Sequence, residues 1–380
     1  MTIIISPKLL TRRTALAAGI SIACVSGLAH AEDDQRFSLH GFGTIGLVHS
    51  DNAQADFVSN LQQPSGPGRS RATDFTTDTK AGVQLNAKLL DQWTAVLQVT
   101  SKKLHSNNFS PKVEWANVKY EATPDFSVRV GRIALASLMQ SDARLVGYAS
   151  TPIRVPLETY NIIPPTNSDG VDATYQMHFG TTTNTIQASY GRNDSHVAIG
   201  IPDNVLILES KARKILNVSD AVEIGALTLR ASYFRTDLNI SGTVYRYDMK
   251  ALGAVYDPGA WFVQSEYTRS NGGGLTKNQA AWYAMGGLRL KAFTPYLGYA
   301  TAKPQDPLLP AAGYQQTTTT AGIRWDFRSN ASLKLQYDQI KMPGAIPSGG
   351  SAGYFVKQDI GAYLNGGKTK LLSLAVDFVF

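Results

Sequence analysis

The sequence predicts an all-β fold: a transmembrane, antiparallel, up-and-down β-barrel of about 16 strands. Three observations carry this. From residue 37 onward, apolar and polar residues alternate with a period of two, in segments longer than the strands of a soluble sandwich. The breaks between segments are alternately short and long. The chain ends on a strand-like run with an apolar face, Leu372, Leu374, Val376, Phe378 and Phe380.

The chain opens on an export signal. Lys8, Arg12 and Arg13 give a basic start, Ala15 to Leu28 an apolar middle, and Ala29-His30-Ala31 a small-residue cleavage site. Thr11-Arg12-Arg13 hints at a twin-arginine signal, but that route carries folded proteins, so the general secretory route is favoured for a membrane barrel. Ser21-Ile22-Ala23-Cys24 matches a lipoprotein box only loosely, since Ser stands where Leu is usual. Residues 1–31 are therefore expected to be cleaved, leaving 32–380 as one barrel.

The first strand, about Phe37 to Ser50, is rich in glycine. Its Gly41-Phe42-Gly43-Thr44-Ile45-Gly46 fits the dinucleotide pattern GxGxxG, but strand-like sequence follows where that motif needs a helix, so small inward residues of a strand explain it better. The second strand is the clearest: Thr79, Ala81, Val83, Leu85, Ala87 and Leu89 face one way, Lys80, Gly82, Gln84, Asn86 and Lys88 the other. A hairpin follows, with Ala116, Val118 and Tyr120 on one arm, Phe126, Val128 and Val130 on the other, and Thr123-Pro124-Asp125 as the turn. Alternation then stops for about 36 residues and resumes at Val171, Ala173 and Tyr175. So long an aperiodic stretch is usually functional. It is expected to fold into the barrel and narrow it.

Further strands are legible at Ile186–Tyr190, Leu227–Tyr233 and Leu333–Tyr337, while the alternation near 211–218, 247–256 and 279–290 is blurred. Short connections fall at Leu90–Gln92, Glu121–Asp125, Gly180–Thr182, Ser219–Val222, Asp257–Gly259, Lys291–Ala292 and Arg328–Asn330. Long ones fall near 51–77, 103–112, 133–168, 192–210, 238–246, 270–279, 302–316 and 341–368. Seven short and eight long connections join sixteen strands, with both chain ends on the short-turn rim. A sheet crossing lipid must close, because an open edge would leave backbone groups unpaired in hydrocarbon. Trp93, Phe126, Trp261, Phe293 and Phe327 adjoin the short turns, where an aromatic girdle is expected.

Composition narrows the function. Charged residues make up 17% of the chain and mean hydropathy is -0.14, too polar for a bundle of membrane helices. Loss of residues 1–31 takes three of the 36 basic residues and none of the 29 acidic ones, leaving a net charge of +4. That is too mild to argue for nucleic acid. The single cysteine, Cys24, leaves with the signal, so no disulfide, thiol nucleophile or cysteine metal site is expected.

Glu114-Trp115-Ala116-Asn117-Val118-Lys119-Tyr120, Arg129-Val130-Gly131-Arg132 and Ser141-Asp142-Ala143-Arg144-Leu145-Val146-Gly147-Tyr148 resemble the general porins of Gram-negative outer membranes, as do Asp169-Gly170-Val171-Asp172 and the terminal Phe380. The resemblance covers residues 32–380 as architecture. It implies a third extracellular loop, about 133–168, folded into the lumen. It also implies passive diffusion of small hydrophilic solutes and ions, contact with outer-membrane lipid and lipopolysaccharide, and homotrimers. The acidic Pro-Glu-Phe-Gly-Gly-Asp loop of enterobacterial porins is absent, which leaves the sign of ion preference open.

The expected mechanism is electrostatic filtering, with loop carboxylates facing wall cations across a water-filled constriction. Asp142 and Glu158 are the candidate loop acids. Lys80, Arg129 and Arg230 are the candidate wall cations on inward positions, with Arg36 and Arg132 close by. Arg144 and Arg154 are candidates for anchoring the loop to the wall. No cofactor or metal is expected. Two other readings stand beside this one. A substrate-specific channel or receptor would share the architecture. A barrel enzyme would need a nucleophile or acid beside a positioned histidine, and His40, His49, His105, His178 and His196 are scattered outside any GxSxG or HExxH motif.

Overall fold

The computed structural model describes residues 36–162, 165–276, 278–305, 314–343, 353–361 and 366–380. The export signal lies outside these residues, as do parts of the expected connections at 302–316 and 341–368. The described strands that build the wall are β1 (Phe37–Ser50), β2 (Lys80–Leu90), β3 (Trp93–Lys102), β4 (Lys112–Thr123), β5 (Phe126–Ala134), β6 (Asn167–Phe179), β7 (Thr182–Ile201) and β8 (Asn204–Ile224). They continue as β9 (Leu227–Ile240), β10 (Thr243–Tyr256), β11 (Trp261–Asn271), β12 (Gln279–Leu288), β13 (Phe293–Pro304), β14 (Gln316–Arg328), β15 (Ala331–Met342) and β16 (Gly367–Val379). Each pairs antiparallel with its sequence neighbours, and β1 pairs with both β2 and β16, so the sheet closes into a barrel. The two-residue strand Thr73–Asp74 adds to β1, and Asp56–Phe57 pairs with Phe355–Val356 at the long-loop end.

Alternation explains the two faces. Outward positions such as Val83, Leu85, Val130, Val171, Leu252, Leu297 and Leu374 are exposed apolar side chains. Trp93, Phe126, Trp261, Phe293 and Phe327 are also exposed, at 36–45%, beside the short turns. No helix among the described residues is long and apolar enough to cross a membrane.

The seam shows why β1 is rich in glycine. Gly43 pairs with Phe378, and Gly41 exchanges backbone hydrogen bonds of 2.8 and 2.9 Å with Phe380. A Cβ on Gly41 or Gly43 would stand 2.1 or 2.4 Å from the phenyl rings of Phe380 and Phe378. These two glycines lie on the outer face with Ile45, under rings from the last strand, and are not the inward residues the sequence suggested. Gly46 does face inward, against Asp78. Aromatic rings over cross-strand glycines shield the backbone at the closure.

Three connections differ from expectation. The stretch 192–210 is not a loop: β7 and β8 run on as strands of 20 and 21 residues to a turn at Pro202-Asp203. Val205, Ile207, Val197 and Ile199 supply β-branched residues there, which favour strand over coil. A bulge around Arg213, Lys214 and Ile215, with Lys214 at φ 51, interrupts the pairing of β8. Beyond it the hairpin tip contacts other loops, with Ala198 N–H bonding the Leu61 carbonyl at 2.6 Å and Arg69 pairing with Asp203 at 2.5 Å. Likewise 238–246 is a tight turn, Ser241-Gly242, whose φ values of 51 and 89 make a twist-compatible hairpin. The short turn expected at Ser219–Val222 sits at Gly225-Ala226, where Gly225 supplies the positive φ of 59.

Candidate functional site

Between β5 and β6 the chain leaves the wall and enters the barrel. Leu135 N–H bonds the Thr166 carbonyl at 3.1 Å and closes the neck of this segment, hereafter loop 3. Its apolar residues Leu135, Leu138, Tyr160 and Ile162 share one cluster with inward residues of β8 to β13, among them Ile215, Phe234, Met249, Phe262, Tyr283 and Tyr296. Each fully buried side chain of this size contributes about 1.5–3 kcal/mol, so the seat is firm. It also explains the blurred alternation. Strands β8, β10 and β12 are apolar on both faces because one face meets the exterior and the other meets loop 3.

Polar contacts extend the seat along the same wall. Ser137 Oγ donates to Asn217 Oδ1 at 2.7 Å, and Ser232 Oγ to the Ser137 carbonyl at 2.5 Å. Met139 N–H bonds Glu266 Oε1 at 2.7 Å, while the phenols of Tyr160 and Tyr283 donate to Glu266 Oε2 at 2.6 and 2.9 Å. Burial pushes the Tyr160 phenol well above its usual range, so it stays a donor at any physiological pH. At the loop's far end, Lys334 Nζ donates to the carbonyls of Gly147 and Ser150 at 2.7 and 2.6 Å. Arg324 donates to those of Tyr148 and Ser150 at 2.7 and 2.9 Å.

The candidate residues fall into three groups. Arg230, Arg154 and Glu158 are tied into the seat. Arg230 donates to the Ala136 carbonyl. Arg154 pairs with Asp78 and Asp338, both at 2.7 Å. Glu158 sits in the short helix α1 (Leu157–Tyr160), fully buried, and accepts from Gln316 at 2.8 Å and from Thr318. It therefore points at the β14 wall and away from the expected wall cations.

The second group surrounds the space that loop 3 leaves open. Lys80 donates to the Arg144 carbonyl at 3.2 Å. Arg129 pairs with Asp172 and feels the charge of the exposed Asp142. Among the described residues the Arg144 guanidinium has no carboxylate within ion-pair distance, so the geometry does not tie it to the wall through its charge. Arg132 and Arg36 form the third group. Arg132 shares the outward register of Ala116 and pairs with Asp169 at 2.7 Å, so it is not on the inner wall. Its odd, three-residue offset from Arg129 made this readable from alternation. Arg36 precedes β1 at the short-turn end, where its carbonyl accepts Lys88 N–H.

Several residues of the site escaped the sequence reading. Lys102 continues the inward series Thr94, Val96, Gln98 and Thr100 of β3, and its register partner is Lys80. Glu114 occupies a bulge of β4 and accepts from Thr166 and Asn167 at 2.5 and 3.2 Å. Lys334, Arg324 and Glu266 also lie on inward positions; each has a wall partner, Asp377, Asp326 and Tyr283, and the path of loop 3 adds the others. Among the described residues no group of three metal-ligating side chains comes together. His105 and His196 do meet, with stacked rings 3.9 Å apart at the long-loop end.

One expected result concerns pH. Burial raises the Glu158 carboxyl above its ordinary value, opposed by the hydrogen bonds from Thr318 and Gln316. A carboxyl raised on folding adds stability in its protonated form. That contribution is complete below the ordinary glutamate pKa of about 4.3 and is lost as pH rises through the raised value. Hydrogen exchange of residues 153–162 should therefore quicken, beyond its intrinsic rise, as pH climbs above the ordinary glutamate value and through the raised one. Glu158→Gln should remove that excess. An equal excess in the variant would refute the assignment.

A sequence profile of Gram-negative porins matches residues 14–342. The chain belongs to the Gram-negative porin family. Solved porins and related channels share its fold. The outer-membrane channel DcaP of Acinetobacter baumannii aligns with a TM-score of 0.62 at 13% identity, over 93% of this chain and 100% of that one. The anion-selective porin of Comamonas acidovorans aligns at 0.59 and 12%, over 90% and 99%. OmpF of Salmonella typhi, solved with daunomycin, aligns at 0.56 and 14%, over 90% and 97%. Comparison with curated proteins gives no match. The porin is an outer-membrane β-barrel, and its family and fold are those of a channel.

Proposed function

We propose that this porin is a water-filled diffusion channel for small hydrophilic solutes and ions, narrowed by loop 3 and filtering by size and charge there. One observation carries the reading: loop 3 is seated on the β8–β15 side, and the inner faces of β2 to β6 opposite it are polar, with Gln84, Gln98, Lys102, Asn117, Arg129 and Asp172. A loop held to one wall leaves a passage along the other, and the charges bordering that passage set the local field. No enzymatic role is assigned. The family resemblance further suggests a homotrimer embedded among outer-membrane lipid and lipopolysaccharide. The purified protein should give stepwise ohmic currents in planar bilayers, in multiples of three, and should admit small sugars into liposomes while excluding larger ones. Absence of ohmic steps, or equal entry of all sugar sizes, would overturn the proposal.

A further inference from the structure

The passage beside loop 3 holds an arrangement that unselective diffusion does not require. Lys80 and Lys102 are directly opposed across β2 and β3. Like charges so placed destabilise a sheet. Arg144 adds a third cation from the loop side, near enough to repel both. All three border one solvent-open cavity of about 100 Å³, which Asp78, Arg154 and the amide side chains of Asn60, Gln62 and Asn161 also line.

The neighbouring carboxylates Asp377, Asp78 and Glu114 attract the two lysines, but each is also engaged by other groups. Asp78 is engaged by Arg154 at 2.7 Å. Asp377 is engaged by Lys334 at 2.9 Å and by Thr44 at 2.5 Å. Glu114 attracts Lys102 and Arg144 from a distance but accepts its hydrogen bonds from Thr166 and Asn167. Among the described residues neither Lys102 nor Arg144 has an ion-pair partner. The sequence expectation placed carboxylates on the loop and cations on the wall, yet at this cavity the loop supplies a cation too. Opposed cations on both sides do not create a transverse field; they create a potential well for an anion.

We propose that Lys80, Lys102 and Arg144 form a binding site for a small anion carrying two or more negative charges, such as phosphate or a short dicarboxylate. Two lysine ammonium groups from the wall take one end of the solute as point charges, and the arginine fork takes a carboxylate or phosphate edge in bidentate fashion. The amides of the lining satisfy the remaining acceptors. This inference rests on the channel reading above and makes the channel saturable for dianions.

The test is the potassium chloride current of the mature porin in planar bilayers as inorganic phosphate or succinate is added at constant ionic strength. The current should fall saturably, with half-block at millimolar phosphate or succinate. Lys102→Gln and Arg144→Gln should each raise the half-blocking concentration about tenfold or more, and Lys102→Arg should restore it. Titration calorimetry of phosphate into the detergent-solubilised porin should show the same order and requires no conductance. A current that ignores both anions, or a block equal in wild type and Lys102→Gln, would overturn the site and leave the channel intact. Absence of any chloride current would instead overturn the channel reading, and calorimetry would then decide the site alone.

Discussion

Replacing Arg154 by methionine should release loop 3 from the wall of the barrel. The guanidinium is the hub of a buried polar cluster. Nη2 donates to Asp78 Oδ2 at 2.7 Å and to Ser373 Oγ at 2.6 Å, and Nη1 donates to Asp338 Oδ2 at 2.7 Å. Its plane also lies over the Phe57 ring, 5.2 Å from the centroid. Burial alone would draw the guanidinium pKa down, but Asp78 and Asp338 more than offset it, so the group is charged at every pH. Methionine keeps the bulk and removes the charge. Two carboxylates then face each other with little water, at a cost of about 3–5 kcal/mol.

Asp338 and Ser373 stand on β15 and β16, but the backbone ladder between those strands does not pass through this cluster, so most of the cost falls on loop docking. Arg154→Met should render residues 150–160 cleavable by protease in detergent and give a larger, noisier single-channel current. The loop of wild-type protein should stay intact. The triple change with Asp78→Asn and Asp338→Asn removes both charge signs and should recover much of the protection, because a neutral buried cluster costs less than a half-empty ionic one. Protection in Arg154→Met equal to wild type would show that the apolar seat alone holds the loop.

These expectations concern contacts that could not be read ahead of the fold, for a physical reason. Period-two alternation reports which face meets an apolar medium, and it located β1, β2 and the hairpin β4–β5 well. It is silent about what covers the other face. Met249, Tyr283 and Met285 therefore appeared as noise in β10 and β12, although the same irregularity marked the seat of loop 3. Gly41 and Gly43 were read as inward because small residues suit a crowded lumen; the rings of Phe378 and Phe380 account for them from outside. Chain composition separated strands from connections but could not show that 192–210 continues as a paired hairpin, since its serine, histidine and glycine resemble loop chemistry. Charge sign was legible at Lys80, Arg129 and Arg154. The partners of Glu158 and Arg144 were not, because a 32-residue path between Ala134 and Asn167 is set by tertiary contacts alone.

Lys334→Met should act on the barrel itself. The ammonium group is wholly inaccessible; it forms an ion pair with Asp377 Oδ2 at 2.9 Å and donates to the carbonyls of Gly147 and Ser150 at 2.7 and 2.6 Å. Asp377 lies on β16, opposite Thr44 of β1 and Ser332 of β15. The lysine thus joins the end of loop 3 to the strand that closes the barrel. Without it, Asp377 keeps the Thr44 hydroxyl at 2.5 Å and the more distant charge of Lys80, and the loop carbonyls lose a cationic donor. Stranding a buried carboxylate of this kind costs about 3–5 kcal/mol, while the two carbonyls keep other donors, Ser150 N–H on Gly147 at 3.0 Å and Arg324 on Ser150 at 2.9 Å.

Because one end of this pair is in the closing strand, the loss should lower the temperature at which the folded barrel unfolds in detergent, read by heat-modified gel mobility or circular dichroism. Arg154→Met should leave that temperature nearly unchanged while loosening the loop. Lys334→Met with Asp377→Asn should recover part of the lost stability, since the amide can still accept from Thr44 and carries no charge. If Lys334→Met unfolds at the wild-type temperature, Asp377 is solvated rather than buried, and the proposed link between loop 3 and barrel closure fails.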